Sequence, residues 1–156
     1  MTAASRAALV IGVFAVVWVS PWIIAFMVVG VFLALAYNLE LFGGSFHTDL
    51  WFAVAWGGFP ALTGYFAQQG EMSVAAALVA CGCVALSIAQ RTLSTPVRDI
   101  RRRTVAIEGR VIWGDGRAEV VDGAWVRRAP EGALRALSFA MPFVATAMVV
   151  AAFARR

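Results

Sequence analysis

The chain has few charges, no lysine, one histidine and two cysteines among its 156 residues. Charged residues make up 14% of the sequence and hydrophobic residues 62%, with a mean hydropathy of +0.80. A typical soluble domain is about 25% charged and roughly 45–50% apolar. The shortage of charge therefore argues against an ordinary soluble domain and predicts an integral membrane protein.

The basic charge is also absent from most of the chain. All thirteen basic residues are arginine, the net charge is +4 and the pI is about 10.0. Most of these arginines lie in one segment, which has only two aromatic residues, Trp113 and Trp125, and lacks the regular basic-aromatic interleaving of a nucleic-acid-binding surface. We therefore predict membrane lipid, and not nucleic acid, as the partner of the basic residues.

The scarcity of cysteine and histidine limits metal and redox chemistry. Cys81 and Cys83 are two residues apart in an apolar segment, so on a helix they point about 200° away from each other. They are interpreted as packing residues that neither form a disulfide nor hold a metal together. His47 has no second histidine or cysteine nearby and is interpreted as a hydrogen-bonding residue at the membrane interface. No metal site is predicted from these residues.

Long apolar runs are abundant, and five of them approach the ~20 residues that cross a bilayer as a helix. The predicted fold is all-α: a polytopic transmembrane bundle of about five spans, forming a single membrane domain over residues 1–156. Pro21 is expected to start the second helix of a tight hairpin. The predicted spans lie near residues 3–19, 21–37, 50–68, 72–90 and 134–153.

The third predicted span carries a pattern for close helix packing. Ala53, Gly57 and Ala61 recur every four residues, and small residues at this spacing let another helix approach closely. Gly58 and Pro60 predict an irregularity in the same span. The fourth span is rich in small residues, so we expect these two spans to pair, and unpaired small-residue faces to favour oligomerisation.

The segment 91–133 is predicted to be a cytoplasmic loop. It contains nine arginines and six acidic residues, and the positive-inside rule places such a loop in the cytoplasm. The same rule puts the N-terminus inside, giving a multi-pass protein of the inner (plasma) membrane. Arg155 and Arg156 would then lie outside, against the rule, unless the last span is partial or tilted. Asp115-Gly116 between two β-prone runs predicts a small hairpin in the loop.

The candidate site is the basic stretch just after the fourth span. Its charged residues are Arg98, Asp99, Arg101, Arg102 and Arg103. In one interpretation Asp99 and Arg103 form an ion pair worth about 0.3–0.5 kcal/mol, and the other arginines hold lipid headgroups. In the other, the four arginines bind a diphosphate through guanidinium forks. The charges alone do not separate the two interpretations.

Several motifs together resemble the UbiA-type intramembrane prenyltransferases. They are Tyr37-Asn38-Leu39-Glu40-Leu41-Phe42-Gly43-Gly44, the aromatic span with Gly57-Gly58-Phe59-Pro60-Ala61-Leu62-Thr63-Gly64-Tyr65-Phe66-Ala67-Gln68, and Arg98-Asp99-Ile100. The chain is most similar to the dihydroxynaphthoate branch, and especially to an actinobacterial offshoot with the first motif. The resemblance covers roughly residues 8–153 and implies helices three to seven of such a bundle.

This resemblance implies transfer of a polyprenyl group from its diphosphate, with Mg²⁺ held by two cytoplasmic Asp-rich motifs. The first motif would fall upstream of Met1, and in the second Arg103 stands where the family pattern has an aspartate. We therefore expect a truncated or non-catalytic relative that binds lipid or a partner helix. The alternative is a component of an active prenyltransferase whose upstream helices are missing, with polyprenyl diphosphate as substrate and Mg²⁺ as cofactor. The sequence identifies no catalytic residue and leaves open whether the protein is an enzyme.

Overall fold

The structure is a computed structural model that describes residues 3–153. Arg155 and Arg156, whose position was predicted above, lie outside the described residues. The protein is 73% helical, with one two-stranded antiparallel sheet in the described part. Its elements are α1 (Ala3–Trp18), α2 (Ile23–Asn38), α3 (Asp49–Ala53), a π turn (Val54–Gly58), α4 (Phe59–Gln69), α5 (Val74–Arg103), β1 (Gly109–Ile112), β2 (Ala118–Val121) and α6 (Gly123–Phe153).

The prediction of a polytopic bundle with about five spans is wrong. Within residues 3–153, only α5 is long and apolar enough to cross a membrane, judged by length and composition. This helix contains the predicted span 72–90 and extends well beyond it.

Two of the other four predicted spans form helices much shorter than α5. The segments 3–19 and 21–37 form helices of 16 residues each, short of the ~20 needed for the ~30 Å hydrocarbon core. The segment 50–68 is divided between α3, the π turn and α4. The segment 134–153 is the second part of the longer helix α6. For the first two predicted spans, apolar composition did not show where the helices end.

The chain divides into two compact units, Met1–Ile88 and Ala89–Arg156. In the first unit, a short turn joins α1 to α2, with the Ile23 backbone N–H donating to Ser20 O at 3.1 Å. The Thr48 hydroxyl caps α3 by accepting a hydrogen bond from the Trp51 backbone N–H at 3.2 Å. Asp49 is the first residue of α3.

The π turn lies where Gly58 and Pro60 predicted an irregularity. Pro60 lies in the first turn of α4 and has no backbone N–H to donate back into the π turn, as the Phe59 N–H does to Val54 O. The π turn lets the chain pass from α3 into α4 without ending the helical path. It also places Gly57 and Gly58 against α5, as described below.

The second unit contains the C-terminal part of α5, the hairpin and α6. The predicted hairpin is confirmed: β1 and β2 pair antiparallel, with Gly109 opposite Val121 and Ile112 opposite Ala118. Asp122 caps α6 by accepting a hydrogen bond from the Trp125 backbone N–H at 2.7 Å. Because α5 continues through Pro96 to Arg103, the segment between α5 and α6 is shorter than the predicted loop 91–133.

Candidate functional site

The predicted basic stretch lies at the C-terminal end of α5, on the helix. Arg101, Arg102 and Arg103 occupy its last turn. The last turn of a helix has unpaired carbonyl groups and partial negative charge, so cations are favourable there. One continuous helix therefore joins an apolar segment to a cluster of guanidinium groups, as at the boundary between hydrocarbon and headgroups.

The side chains of the stretch make weak and exposed contacts. Arg103 Nη1 lies 3.5 Å from Asp99 Oδ1, which is the ion pair expected from their spacing. Arg98 Nη2 lies 3.4 Å from Thr95 Oγ1. Arg102 has no hydrogen bond or ion pair with any residue in the described part of the chain. These guanidinium groups can turn toward an outside anion at little cost, because exposed ion pairs contribute only about 0–1 kcal/mol.

Arg101 makes a different contact, with α6. Its Nε and Nη2 atoms donate to Glu131 Oε1 at 3.2 and 2.9 Å. The same carboxylate lies 3.8 Å from Arg127 Nη1 and 3.7 Å from Arg135 Nη2. We call Arg101, Arg127, Glu131 and Arg135 the Glu131 cluster.

Sequence reasoning missed this cluster. Its signal was the spacing of Arg127, Glu131 and Arg135, which puts all three on one face of a helix. The contact with Arg101 had no local signal, because that residue is thirty positions from Glu131.

The donor set does not fit the Mg²⁺ ion that the family resemblance implies. Among the described residues, no three or more His, Cys, Asp or Glu side chains lie close enough together to hold a metal. Asp99 is paired with Arg103, and a cation beside the carboxylate opposes binding of a second cation. Mg²⁺ prefers an octahedral set of oxygen ligands, usually including one or two carboxylates.

His47, Cys81 and Cys83 lie apart from the basic stretch in sequence. The His47 ring stacks on Tyr37, with 4.5 Å between ring centroids, and its Nδ1 is 3.2 Å from Tyr37 O. Both cysteines are free thiols. The Glu40 carboxylate lies 4.0 Å from the same Nδ1 atom, and no cluster of three potential metal ligands forms among the described residues.

The residues predicted to pack helices lie at a close approach of the π turn and α5. Ala53 is fully buried. A Cβ atom added at Gly57 would lie 2.7 Å from the Cys83 carbonyl oxygen, and one at Gly58 would lie 2.7 Å from Val84 Cγ2. Gly57 therefore contacts α5 of the same chain. Ala61 is half-buried.

A cavity of about 330 Å³ lies beside this contact in the first unit. Its lining is apolar and includes Val29, Leu33, Leu62, Ala80 and Val84. Binding pockets for polar ligands carry a few well-placed polar groups that fix orientation, and this lining supplies none. The cavity suits hydrocarbon and not a phosphate group.

Comparison with known proteins gave no relative. No family model, no curated protein and no solved structure matches the chain. The relationship to UbiA-type prenyltransferases therefore stays a prediction, based on the motifs quoted above.

Proposed function

We propose that this chain is a non-catalytic membrane protein that crosses the bilayer through α5 and binds anionic lipid headgroups with Arg98, Arg101, Arg102 and Arg103. The observation that carries the proposal is α5 itself. It is long and apolar enough to cross a membrane, and only 11% of its most apolar stretch is buried inside the protein. The core helix of a soluble protein would be mostly buried, so the exposed surface of α5 favours contact with lipid.

The arginines supply the polar end of this arrangement. They follow the apolar segment on the same helix, after the mostly polar stretch 90–96, on the side of the bilayer where that segment emerges. Each basic residue near an anionic surface contributes about 1 kcal/mol of attraction. The positive-inside rule then places the end of α5 and the hairpin in the cytoplasm of the cell, with the inner (plasma) membrane as the location.

The first experiment tests insertion. Membranes from cells expressing the full chain are washed with alkaline carbonate, which releases peripheral proteins and retains proteins that span the bilayer. We expect the protein to stay in the membrane pellet. Release into the supernatant would contradict the crossing by α5.

The second experiment tests headgroup binding. Purified protein in a neutral detergent is titrated with phosphatidylglycerol or phosphatidylcholine, and the thermal unfolding midpoint is measured, because a ligand of the folded state raises it. We expect stabilisation by phosphatidylglycerol alone, weakening as salt is added. The double variant Arg98→Gln/Arg102→Gln should lose most of the effect.

A charge-matched control distinguishes binding at this site from non-specific electrostatic attraction between the protein and anionic lipid. The double variant Arg110→Gln/Arg128→Gln removes the same charge from exposed positions on β1 and α6. We expect it to respond to phosphatidylglycerol as the wild type does. Equal losses in the two double variants would show diffuse attraction and contradict a site at the end of α5.

The absence of catalysis is also testable. We expect no Mg²⁺-dependent release of diphosphate when the purified chain is incubated with a polyprenyl diphosphate, because Asp99 faces Arg103 and not a second carboxylate. Release that disappears in Asp99→Asn would overturn the non-catalytic proposal. It would favour a working prenyltransferase instead.

A further inference from the structure

We propose that the Glu131 cluster is a phosphate-binding site, formed by the guanidinium groups of Arg101, Arg127 and Arg135 around one carboxylate. This inference rests on the proposed function only for the source of the phosphate. The source is a lipid headgroup if the protein lies in a membrane, and free phosphate otherwise. The cluster's charge, its unused hydrogen-bond donors, its burial and its position along α6 support this assignment.

The first step is the charge balance. Three guanidinium groups lie within 4.0 Å of a single carboxylate. Arginine stays charged at all physiological pH values, so the four side chains carry a net charge of +2 when Glu131 is ionised. One carboxylate cannot neutralise this charge, and a phosphate carrying one or two negative charges can.

The second step is the supply of donors. Each guanidinium offers five N–H groups, and a carboxylate offers about four acceptor positions. Only Arg101 is hydrogen-bonded to Glu131, since Arg127 Nη1 and Arg135 Nη2 lie at 3.8 and 3.7 Å, beyond hydrogen-bond length. Arg127 also donates from Nε to Gly123 O at 2.8 Å, which orients its guanidinium. The Nη groups of Arg127 and Arg135 are therefore available to an additional acceptor.

The third step is burial. The side chains of Glu131 and Arg127 are 20% and 26% exposed, whereas those of Arg101 and Arg135 are 56% and 77% exposed. The cluster thus has a half-buried floor and an open rim. Ionic hydrogen bonds to such a floor are screened less than those on an open surface, and guanidinium groups bind phosphate oxygens in a bidentate manner.

The fourth step is position along α6. Arg135 is followed on the same helix by exposed apolar residues, including Phe139, Met141 and Phe143. A phosphate bound by Arg127 and Arg135 would lie where the surface of α6 changes from charged to apolar. A lipid has the same order of groups, with its phosphate next to its acyl chains.

The test uses the full-length protein in neutral detergent, with inorganic phosphate, phosphatidic acid and phosphatidylcholine as separate probes. The readout is the apparent dissociation constant from thermal unfolding midpoints. We expect the double variant Arg127→Gln/Arg135→Gln to weaken phosphate binding at least tenfold, since each lost ionic hydrogen bond weakens binding by about tenfold. Arg110→Gln/Arg128→Gln, the matched double control, should bind as the wild type does.

Glu131→Gln is the most informative variant because the site and a purely structural salt bridge predict opposite results. Removing the carboxylate charge should tighten phosphate binding by about two- to fivefold. This factor corresponds to the interaction energy of an exposed charge pair, here the repulsion between Glu131 and the phosphate. A purely structural role predicts weaker or unchanged binding. Helical content from circular dichroism identifies any variant that fails to fold, and Glu131→Asp then serves as a second, charge-conserving variant that should bind no tighter than the wild type.

The outcomes separate this proposal from the previous one. Binding that Arg127→Gln/Arg135→Gln weakens supports the site: if only phosphatidic acid binds, the ligand is a headgroup, and if inorganic phosphate also binds, the site takes phosphate in general. No binding of either probe overturns it, as does an equal loss in the control. If phosphatidylglycerol binding is lost in Arg98→Gln/Arg102→Gln while Arg127→Gln/Arg135→Gln changes nothing, the proposed function stands and the Glu131 site fails.

Discussion

Gly57 lies at a position where even the methyl group of alanine does not fit. A Cβ there would lie 2.7 Å from the Cys83 carbonyl oxygen and would also meet the Ser87 hydroxyl. The carbonyl belongs to the backbone of α5 and cannot rotate away as a flexible side chain can. A side chain at this position therefore requires the π turn and α5 to move apart.

We expect Gly57→Ala to lower the free energy of unfolding by about 1–3 kcal/mol, as overpacking of a close contact does. Gly64→Ala is the matched control, because a Cβ at Gly64 meets nothing within 4 Å. It should be neutral or stabilising by up to about 1 kcal/mol, since alanine is the better helix former. The measurement is denaturant unfolding in detergent micelles. Equal effects of the two substitutions would show that the contact between the π turn and α5 is absent.

The turn of the hairpin contains a charged side chain, Asp115, that contacts Arg117. Asp115 accepts a hydrogen bond from the Arg117 backbone N–H at 3.0 Å and one from Arg117 Nε at 2.6 Å. The backbone N–H, followed by the guanidinium of Arg117, lowers the pKa of Asp115 below its ordinary value. These contacts favour the ionised carboxylate.

A carboxyl group with a lowered pKa contributes stability only when it is ionised. This contribution is complete above the unfolded-state pKa of about 3.9 and is lost as pH falls through the lower pKa of the folded hairpin. We expect Arg117→Gln to raise the pKa of Asp115 part of the way to its ordinary value, because the backbone donor remains. Carboxyl-carbon NMR titration measures this shift, and Arg110→Gln on β1 is the control. An unchanged pKa in Arg117→Gln would exclude the guanidinium contact.

Elements with local signals were predicted more accurately than elements defined by length. The hairpin followed from Asp115-Gly116, and the irregularity near Pro60 followed from the missing N–H of proline. Span number did not follow, because apolar composition does not show where α1 and α2 stop or that α5 continues through Pro96. The contact of Arg101 with Glu131 joins distant parts of the sequence and had no local signal.

Across the described part of the molecule, large apolar side chains remain exposed outside α5 as well as on it. Phe14, Trp18 and Trp22 on or beside α1, and Val28 on α2, are examples. Exposed apolar side chains in this number indicate contact with lipid or with another protein. Contact with another protein would cover this surface without a further crossing. The apolar surface is therefore compatible with a single crossing by α5.

A single crossing gives a specific topology. If α5 alone spans the bilayer, the turn at residues 43–45 and the turn at residues 70–71 lie on one side, and the segment after Arg103 lies on the other. We expect cysteines introduced as Ser45→Cys and Glu71→Cys, in a Cys81→Ala/Cys83→Ala background, to react with an impermeant maleimide from outside intact spheroplasts. Glu108→Cys should react only after the membrane is permeabilised, because the arginines beside it favour the cytoplasm. All three sites are exposed, so burial does not explain a difference in labelling. Protection of Ser45→Cys together with Glu108→Cys would require a second crossing before α5 and would contradict the single-span arrangement.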